Sequence, residues 1–143
     1  MDKQVEQDMK QRKALLEGLP KFNIGALLVP PIWGPAHGLM ITIVFYPLWL
    51  FTDNLIYAAV TQPSALSVTL AAIVLAVMAA GTFFFARVAQ GFAAERAIIM
   101  RGKTKEQYVR EQKYWAIGMA VLALVIVGAA TYFNICIRPT LGA

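Results

Sequence analysis

The sequence predicts an all-α integral membrane protein with three transmembrane helices, an N-terminal amphipathic helix and a cytoplasmic helical hairpin. Apolar residues make up 59% of its 143 residues and charged residues only 15%, whereas soluble domains average about 45–50% and about 25%. Two uncharged apolar stretches are each long enough to cross a bilayer, and nearly all Lys and Arg residues lie outside the apolar stretches. These observations exclude a soluble, disordered or fibrous chain.

Residues 1–21 are polar and contain no apolar h-region, so we expect a short amphipathic helix here and not a signal peptide. Val5, Met9, Arg12 and Leu16 share one face at helical spacing. This helix either lies against anionic lipid headgroups or packs against the protein's own cytoplasmic loop. The sequence leaves both interpretations open.

The segment 22–35 is apolar but too short to cross a membrane. Its central part, Ile24–Trp33, has ten residues and contains Pro30-Pro31, which blocks a continuous helix. Crossing a hydrocarbon core about 30 Å thick requires about 20 helical residues. We therefore predict an interfacial or re-entrant segment.

Three longer apolar stretches follow, and each is long enough to be a transmembrane helix. The first, 36–60, contains Pro47 and is predicted to be kinked, whereas 65–86 and 114–137 are uninterrupted. Tryptophan favours the boundary between lipid and water. The predicted interface anchors are therefore Trp33, Trp49 and Trp115.

The positions of the basic residues predict the orientation. Five Lys and Arg residues precede the first span, seven lie between the second and third, and only Arg138 follows the third. The positive-inside rule then places the N-terminus in the cytoplasm and the C-terminus outside, in a multi-pass protein of the inner (cytoplasmic) membrane. Topology thus accounts for the net charge of +5, and no nucleic acid partner is expected.

The loop 87–113 is predicted to be a helical hairpin. The helix of the second span continues to Gly102, and Thr104 with Gln107 matches a capping box that starts the next helix. The protruding hairpin could bind a cytoplasmic protein.

Small residues at helical spacing mark two possible packing faces. Ala72, Ala76 and Ala80 are spaced four apart on the second span, and a weaker stripe on the third includes Ala120 and Gly128. Small residues allow helices to approach closely in lipid. They indicate either docking of another membrane subunit or packing of the second span on the third, and the second interpretation is the more economical.

The three apolar stretches contain one acidic residue, Asp53, and Asn54 follows it in the sequence. An ionisable group at membrane depth is a candidate ion or proton site. The alternative is that Asp53 caps a broken helix in the outer headgroup layer. We expect no basic partner for it in the neighbouring spans.

His37 and Cys136 are the only histidine and the only cysteine. His37 lies in a turn before the first span, where it is either a cofactor ligand for haem or quinone or simply a hydrogen-bonded polar residue. One residue of each type excludes a multi-histidine or multi-thiolate metal centre in one chain. Sequence motifs of catalysis and nucleotide binding are also missing. We therefore expect no enzymatic activity, no cofactor and no metal.

Lys21-Phe22-Asn23-Ile24-Gly25-Ala26 and Pro30-Pro31-Ile32-Trp33-Gly34 form a pattern before the first span, and Gln112 and Trp115 lie three apart before the third. This pattern resembles small bacterial multi-span membrane proteins with a Phe-Asn-x-x-Ala motif followed by a Trp segment. Those proteins have aromatic and basic residues after the Trp, where this chain has Pro35-Ala36-His37. Because that family is one of unknown function, the resemblance implies a topology and no mechanism.

Three functional hypotheses follow. The favoured one is a non-catalytic accessory or scaffold subunit of a transport or energy-converting complex, which contacts lipid and other membrane subunits. The second is a self-assembling small channel or transporter that uses Asp53. The third is a membrane anchor that binds haem or quinone through His37.

Overall fold

The computed structural model describes residues 3–141, which form helices and connecting turns and contain no β-strand. The α-helices are α1 (Lys3–Leu16), α2 (Ile24–Leu28), α3 (Pro30–Ala36), α4 (Phe45–Thr61), α5 (Ala65–Glu95), α6 (Lys105–Tyr132) and α7 (Arg138–Leu141). A 3-10 helix, Met40–Val44, precedes α4, and π-helical turns, Arg96–Met100 and Phe133–Ile137, extend α5 and α6.

Three continuous helical stretches are long and apolar enough to cross a membrane. They are Met40–Thr61, Ala65–Met100 and Lys105–Leu141, with mean hydropathies of 1.4, 2.3 and 2.2 in their most apolar windows. Even the shortest, with 22 residues, is about 33 Å long at 1.5 Å per residue. The predicted all-α fold with three helices long and apolar enough to cross a membrane is confirmed for the described residues, and we call these stretches the spanning helices.

Pro47 lies near the start of α4, the α-helical part of the first spanning helix. This part begins at Phe45, so Pro47 lies in the first turn, where the missing N–H has no partner to lose. The residues before Phe45 form the 3-10 turn instead of extending the helix back to residue 36. The kink predicted at Pro47 stays a prediction.

Side chains and glycine define where the two longer helices begin and end. Ser64 and Ser67 form a capping box before α5, and Thr104 and Gln107 form the box expected before α6. Gly102 has φ +64°, the left-handed conformation that glycine adopts after a helix end. The Ala65–Met100 helix is about 54 Å long, so its last turns project beyond a bilayer core of about 30 Å.

The short helix α2 separates α5 from α6. It packs on both, and α4 packs on α5. The backbones of α5 and α6 rarely approach each other closely, although the Tyr108 hydroxyl of α6 donates to Gln90 Oε1 of α5. The more economical interpretation of the alanine stripe, packing of the second span on the third, is therefore wrong. The physical reason is that Ala72, Ala76 and Ala80 are exposed, because α5 turns its neighbouring face with Ala71 toward the rest of the chain.

The N-terminal helix and the loop after α5 lie at the same end of the molecule. Arg12 of α1 is 3.8 Å from the Glu95 carboxylate of α5. Lys105 Nζ donates to the backbone oxygens of Ala14 and Glu17, each at 3.0 Å, at the end of α1. These contacts place the basic residues of the N-terminal segment and those of the loop after α5 at the same end of the molecule. Arg138 lies at the far end of the third spanning helix.

Candidate functional site

A buried amide network joins α2, α5 and α6 at the basic end of the molecule. Asn23 is the N-cap of α2, where its Oδ1 accepts from the backbone N–H of Ala26 at 3.0 Å. Its Nδ2 donates to Gln90 Oε1 of α5 at 2.9 Å and to Gln112 Oε1 of α6 at 2.8 Å. With its side chain only 1% exposed, Asn23 holds three helices together through one side chain.

Tyr108 and Trp33 complete the network. The Tyr108 hydroxyl donates to Gln90 Oε1 at 3.1 Å, and Trp33 Nε1 donates to Gln112 Oε1 at 3.3 Å. No buried side-chain nitrogen or oxygen in residues 3–141 lacks a hydrogen-bond partner. A fully satisfied buried network of this kind specifies one packing arrangement, because each lost partner leaves a desolvated polar group.

His37 lies at the edge of this network with both ring nitrogens engaged. Its ring stacks on Trp33 at 4.0 Å and meets the edge of Trp115 at 4.9 Å. Nδ1 is 2.7 Å from the Trp33 carbonyl, which can only accept, so Nδ1 carries the proton. Nε2 then accepts from Gln112 Nε2 at 3.1 Å. A haem iron at Nε2 would have to displace Gln112.

Burial lowers the pKa of His37 from its usual value, with Arg101 and Lys103 acting in the same direction. The hydrogen bond to the Trp33 carbonyl and the nearby Glu111 carboxylate raise it, but by less than burial lowers it. The neutral ring is therefore the favoured form, in agreement with the acceptor role of Nε2.

Trp33 is a core residue and not an interface anchor. Its side chain is 0% exposed, and its ring fills the space over Gly25, where an added Cβ would lie 2.6 Å from Trp33 Cδ1. An interface anchor presents its ring to the headgroup layer, which this burial prevents. Trp49 and Trp115 are half-buried, and their anchoring role stays a prediction.

A second polar cluster lies at the opposite end and contains Asp53 and Asn54. Asp53 Oδ1 accepts from Asn134 Nδ2 at 2.8 Å, and Arg138 Nη1 lies 3.9 Å from Asp53 Oδ2. Arg138 Nη2 donates to Asn54 Oδ1 at 2.6 Å, and the guanidinium lies over the Tyr57 ring at 3.8 Å. The expectation that Asp53 has no basic partner is wrong, because the third spanning helix continues past residue 137.

A groove runs from this cluster between α4 and α6. Its volume is about 840 Å³, and its walls are apolar apart from Asp53, Asn54 and Arg138 at one end. The groove exists because α4 and α6 make little contact along their lengths. Tyr46, Trp49, Ile126 and Ala130 are among its lining residues.

The small-residue stripes turn away from the fold. Ala72, Ala76 and Ala80 are all exposed, because α5 uses the neighbouring face with Ala71 against the rest of the chain. On α6, Ala120 is half-buried and Gly128 is exposed. Residues four apart advance by about 40° around a helix of 3.6 residues per turn, so the α6 stripe winds from the inner to the outer surface.

The sequence interpretation missed Asn23, Gln90 and Gln112 as partners in one site. Gln90 and Gln112 lie in a segment that was interpreted as a solvated hairpin, and no local pattern connects them with Asn23. The signal that could have linked them was the resemblance, whose motif residues Asn23, Trp33 and Gln112 are joined by hydrogen bonds here. Among the described residues, no group of three His, Cys, Asp or Glu side chains is arranged to hold a metal ion.

Comparisons with protein-family models, with curated proteins and with solved structures find no match for this chain.

Proposed function

We propose that this protein is a non-catalytic accessory subunit of a larger membrane complex. The observation that supports this most strongly is how few residues are buried in the most apolar parts of the spanning helices. In the most apolar 18 residues of the first, second and third spanning helices, only 6%, 6% and 0% of the residues are buried. The tertiary packing is instead concentrated around α2 and the basic end. Long helices with unpacked membrane faces have surface available for a partner subunit.

The exposed alanine face of α5 is the proposed docking surface. Ala72, Ala76 and Ala80 present a strip of small, exposed side chains. In a membrane, helices associate through van der Waals packing at such small residues, since burial of apolar surface gives no advantage over lipid.

The hairpin after α5 offers a second contact for a partner at the basic end. Ile99 is 65% and Met100 76% exposed at its tip. Large apolar side chains clustered on a water-facing surface are typical of protein–protein contact sites. A partner with both membrane and soluble parts would contact both surfaces.

The proposal assigns no catalytic role to the chain. Trp33 and Gln112 occupy both nitrogens of His37, and Cys136 lies near the opposite end of the spanning helices. Asp53 is hydrogen-bonded by Asn134 and lies near Arg138. This pairing favours a structural role for Asp53 over a proton or ion path.

The test is purification of the tagged protein from its native membrane in mild detergent or polymer nanodiscs, with measurement of particle mass. We expect a stoichiometric membrane partner, and we expect Ala76→Phe to abolish its recovery because the bulky ring separates the two helices. Val77→Phe is the matched control, since Val77 is exposed on another part of the same helix. Monomer mass for the unmodified protein, or unchanged recovery with Ala76→Phe, would refute the proposal.

A further inference from the structure

A basic hollow lies between α1 and α5 at the end of the molecule that contains the amide network. Its volume is about 1110 Å³, and Glu17 is the one acidic residue that lines it. We call it the basic hollow, and its lining cations are Lys10, Arg12, Lys13, Lys21 and Arg87. Five cations and one carboxylate therefore share this one concave surface.

Three of these cations have no carboxylate partner among the residues that the structure describes. Lys10 pairs with Glu6 at 2.9 Å and Arg12 with Glu95 at 3.8 Å. Within residues 3–141, no carboxylate lies within 4.0 Å of Lys13, Lys21 or Arg87. Like charges that share a concave surface raise the local positive potential and attract an anion.

The depth of Arg87 places the hollow at the level of lipid phosphates. Arg87 is 22 residues after Ala65, which begins α5, and this corresponds to about 33 Å along the helix. The hydrocarbon core is about 30 Å thick, so with Ala65 at one boundary Arg87 lies at the other. Phosphate groups of the lipid lie in this boundary layer.

The hollow continues into an apolar surface. An adjoining hollow of about 440 Å³ shares Lys21 and Arg87 and extends to Phe84 and Val88. Phe84 is 69% and Val88 38% exposed on the side of α5. The site therefore has cations at one end and a lipid-facing apolar wall at the other, which matches the headgroup and acyl chain of a phospholipid.

We propose that the basic hollow is a binding site for an anionic glycerophospholipid, whose phosphate lies between Lys13, Lys21 and Arg87 and whose acyl chain lies against Phe84 and Val88. The binding is electrostatic and specific for the headgroup charge, since basic pockets at this level of a membrane recognise anionic lipids. This inference is independent of the proposed docking role of α5.

The experiment is native mass spectrometry of the purified protein titrated with phosphatidylglycerol or phosphatidylcholine of identical acyl chains. We expect one phosphatidylglycerol to bind in preference to phosphatidylcholine. A Lys13→Gln/Lys21→Gln/Arg87→Gln variant should bind phosphatidylglycerol on the order of 100-fold more weakly, since each basic residue near an anionic surface contributes about 1 kcal/mol. The charge-preserving variant Lys13→Arg/Lys21→Arg/Arg87→Lys should retain the preference.

The matched control removes three exposed cations elsewhere on the same side, with Arg101→Gln/Arg110→Gln/Lys113→Gln. Both triple variants have the same net charge, so retained binding in the control supports a defined site. Equal loss in the two variants would show attraction to the general surface potential and would refute the proposal. Equal binding of the two lipids by the unmodified protein would refute it as well.

Discussion

Asn23 Nδ2 donates to Gln112 Oε1 at 2.8 Å, a hydrogen bond between residues 89 positions apart in the sequence. The same oxygen accepts from Trp33 Nε1, and the other end of the Gln112 amide donates to His37. Gln112 thus links α6 to the short helices α2 and α3 through both ends of one side chain. At the opposite end of the spanning helices, Asp53 and Arg138 form a second long-range pair.

Replacing Asn23 with Ala should destabilise the protein by about 2–4 kcal/mol. The variant loses the N-cap of α2, worth about 1 kcal/mol, and leaves buried amide groups with fewer partners, at about 1–3 kcal/mol. Thermal unfolding in detergent measures the change. Gln62→Ala is the control because Gln62 is exposed in a turn, and a similar loss in both variants would contradict the role of the network.

Gly25→Ala should destabilise the protein by about 1–3 kcal/mol through overpacking. An added Cβ would lie 2.6 Å from Trp33 Cδ1, and the buried Trp33 ring cannot move without disturbing its bond to Gln112. In Gly118→Ala the new methyl has nothing within 4 Å, and helix propensity should stabilise α6 by up to about 1 kcal/mol. Opposite shifts in melting temperature are the expected result, and equal shifts would show that Trp33 does not fill this space.

Acidification should destabilise the protein through His37. Its folded-state pKa is lowered from 6.5, so the unfolded chain binds the proton more readily. The stabilising contribution is therefore complete above about pH 6.5 and is lost as the pH falls toward the lowered pKa. Melting temperatures between pH 8 and pH 5 measure this loss. His37→Gln should show a flatter profile, and the same slope in both proteins would exclude His37 as the titrating group.

Asp53 and Arg138 should show a small favourable coupling in a double-mutant cycle with Asp53→Asn and Arg138→Gln. Their closest charged atoms are 3.9 Å apart, and both side chains are partly exposed. Partly exposed pairs contribute about 0.2–1 kcal/mol, and the coupling should decrease at high salt. Zero coupling at low salt in the unfolding free energies would show that the two side chains act independently.

The helical architecture was largely predictable because it depends on local patterns. Apolar stretches longer than the bilayer core is thick predict the spanning helices, and the Thr104–Gln107 box is present where the sequence indicates it. The start of α4 at Phe45 was not predictable from the apolar pattern, and it places Pro47 in the first helical turn, where proline is well tolerated.

The side-chain contacts of the site were not predictable, because they join distant parts of the chain. Asn23 meets Gln90 across 67 positions, and Asn134 meets Asp53 across 81. Trp33 was interpreted as an anchor from residue type alone, whereas its burial depends on Gly25 and on the insertion of α2 between α5 and α6. Periodicity reports the face of one helix and not which other helix covers it.

The topology can be tested most directly by cysteine labelling in sealed, oriented vesicles, in a Cys136→Ser background. Gln7→Cys and Arg101→Cys lie at the basic end of the molecule, and Thr140→Cys lies in the last turn of the third spanning helix, at its opposite end, all at exposed positions. The account predicts that a membrane-impermeant maleimide labels Gln7→Cys and Arg101→Cys from one face and Thr140→Cys only from the other. Labelling of Gln7→Cys and Thr140→Cys from the same face would contradict the three crossings.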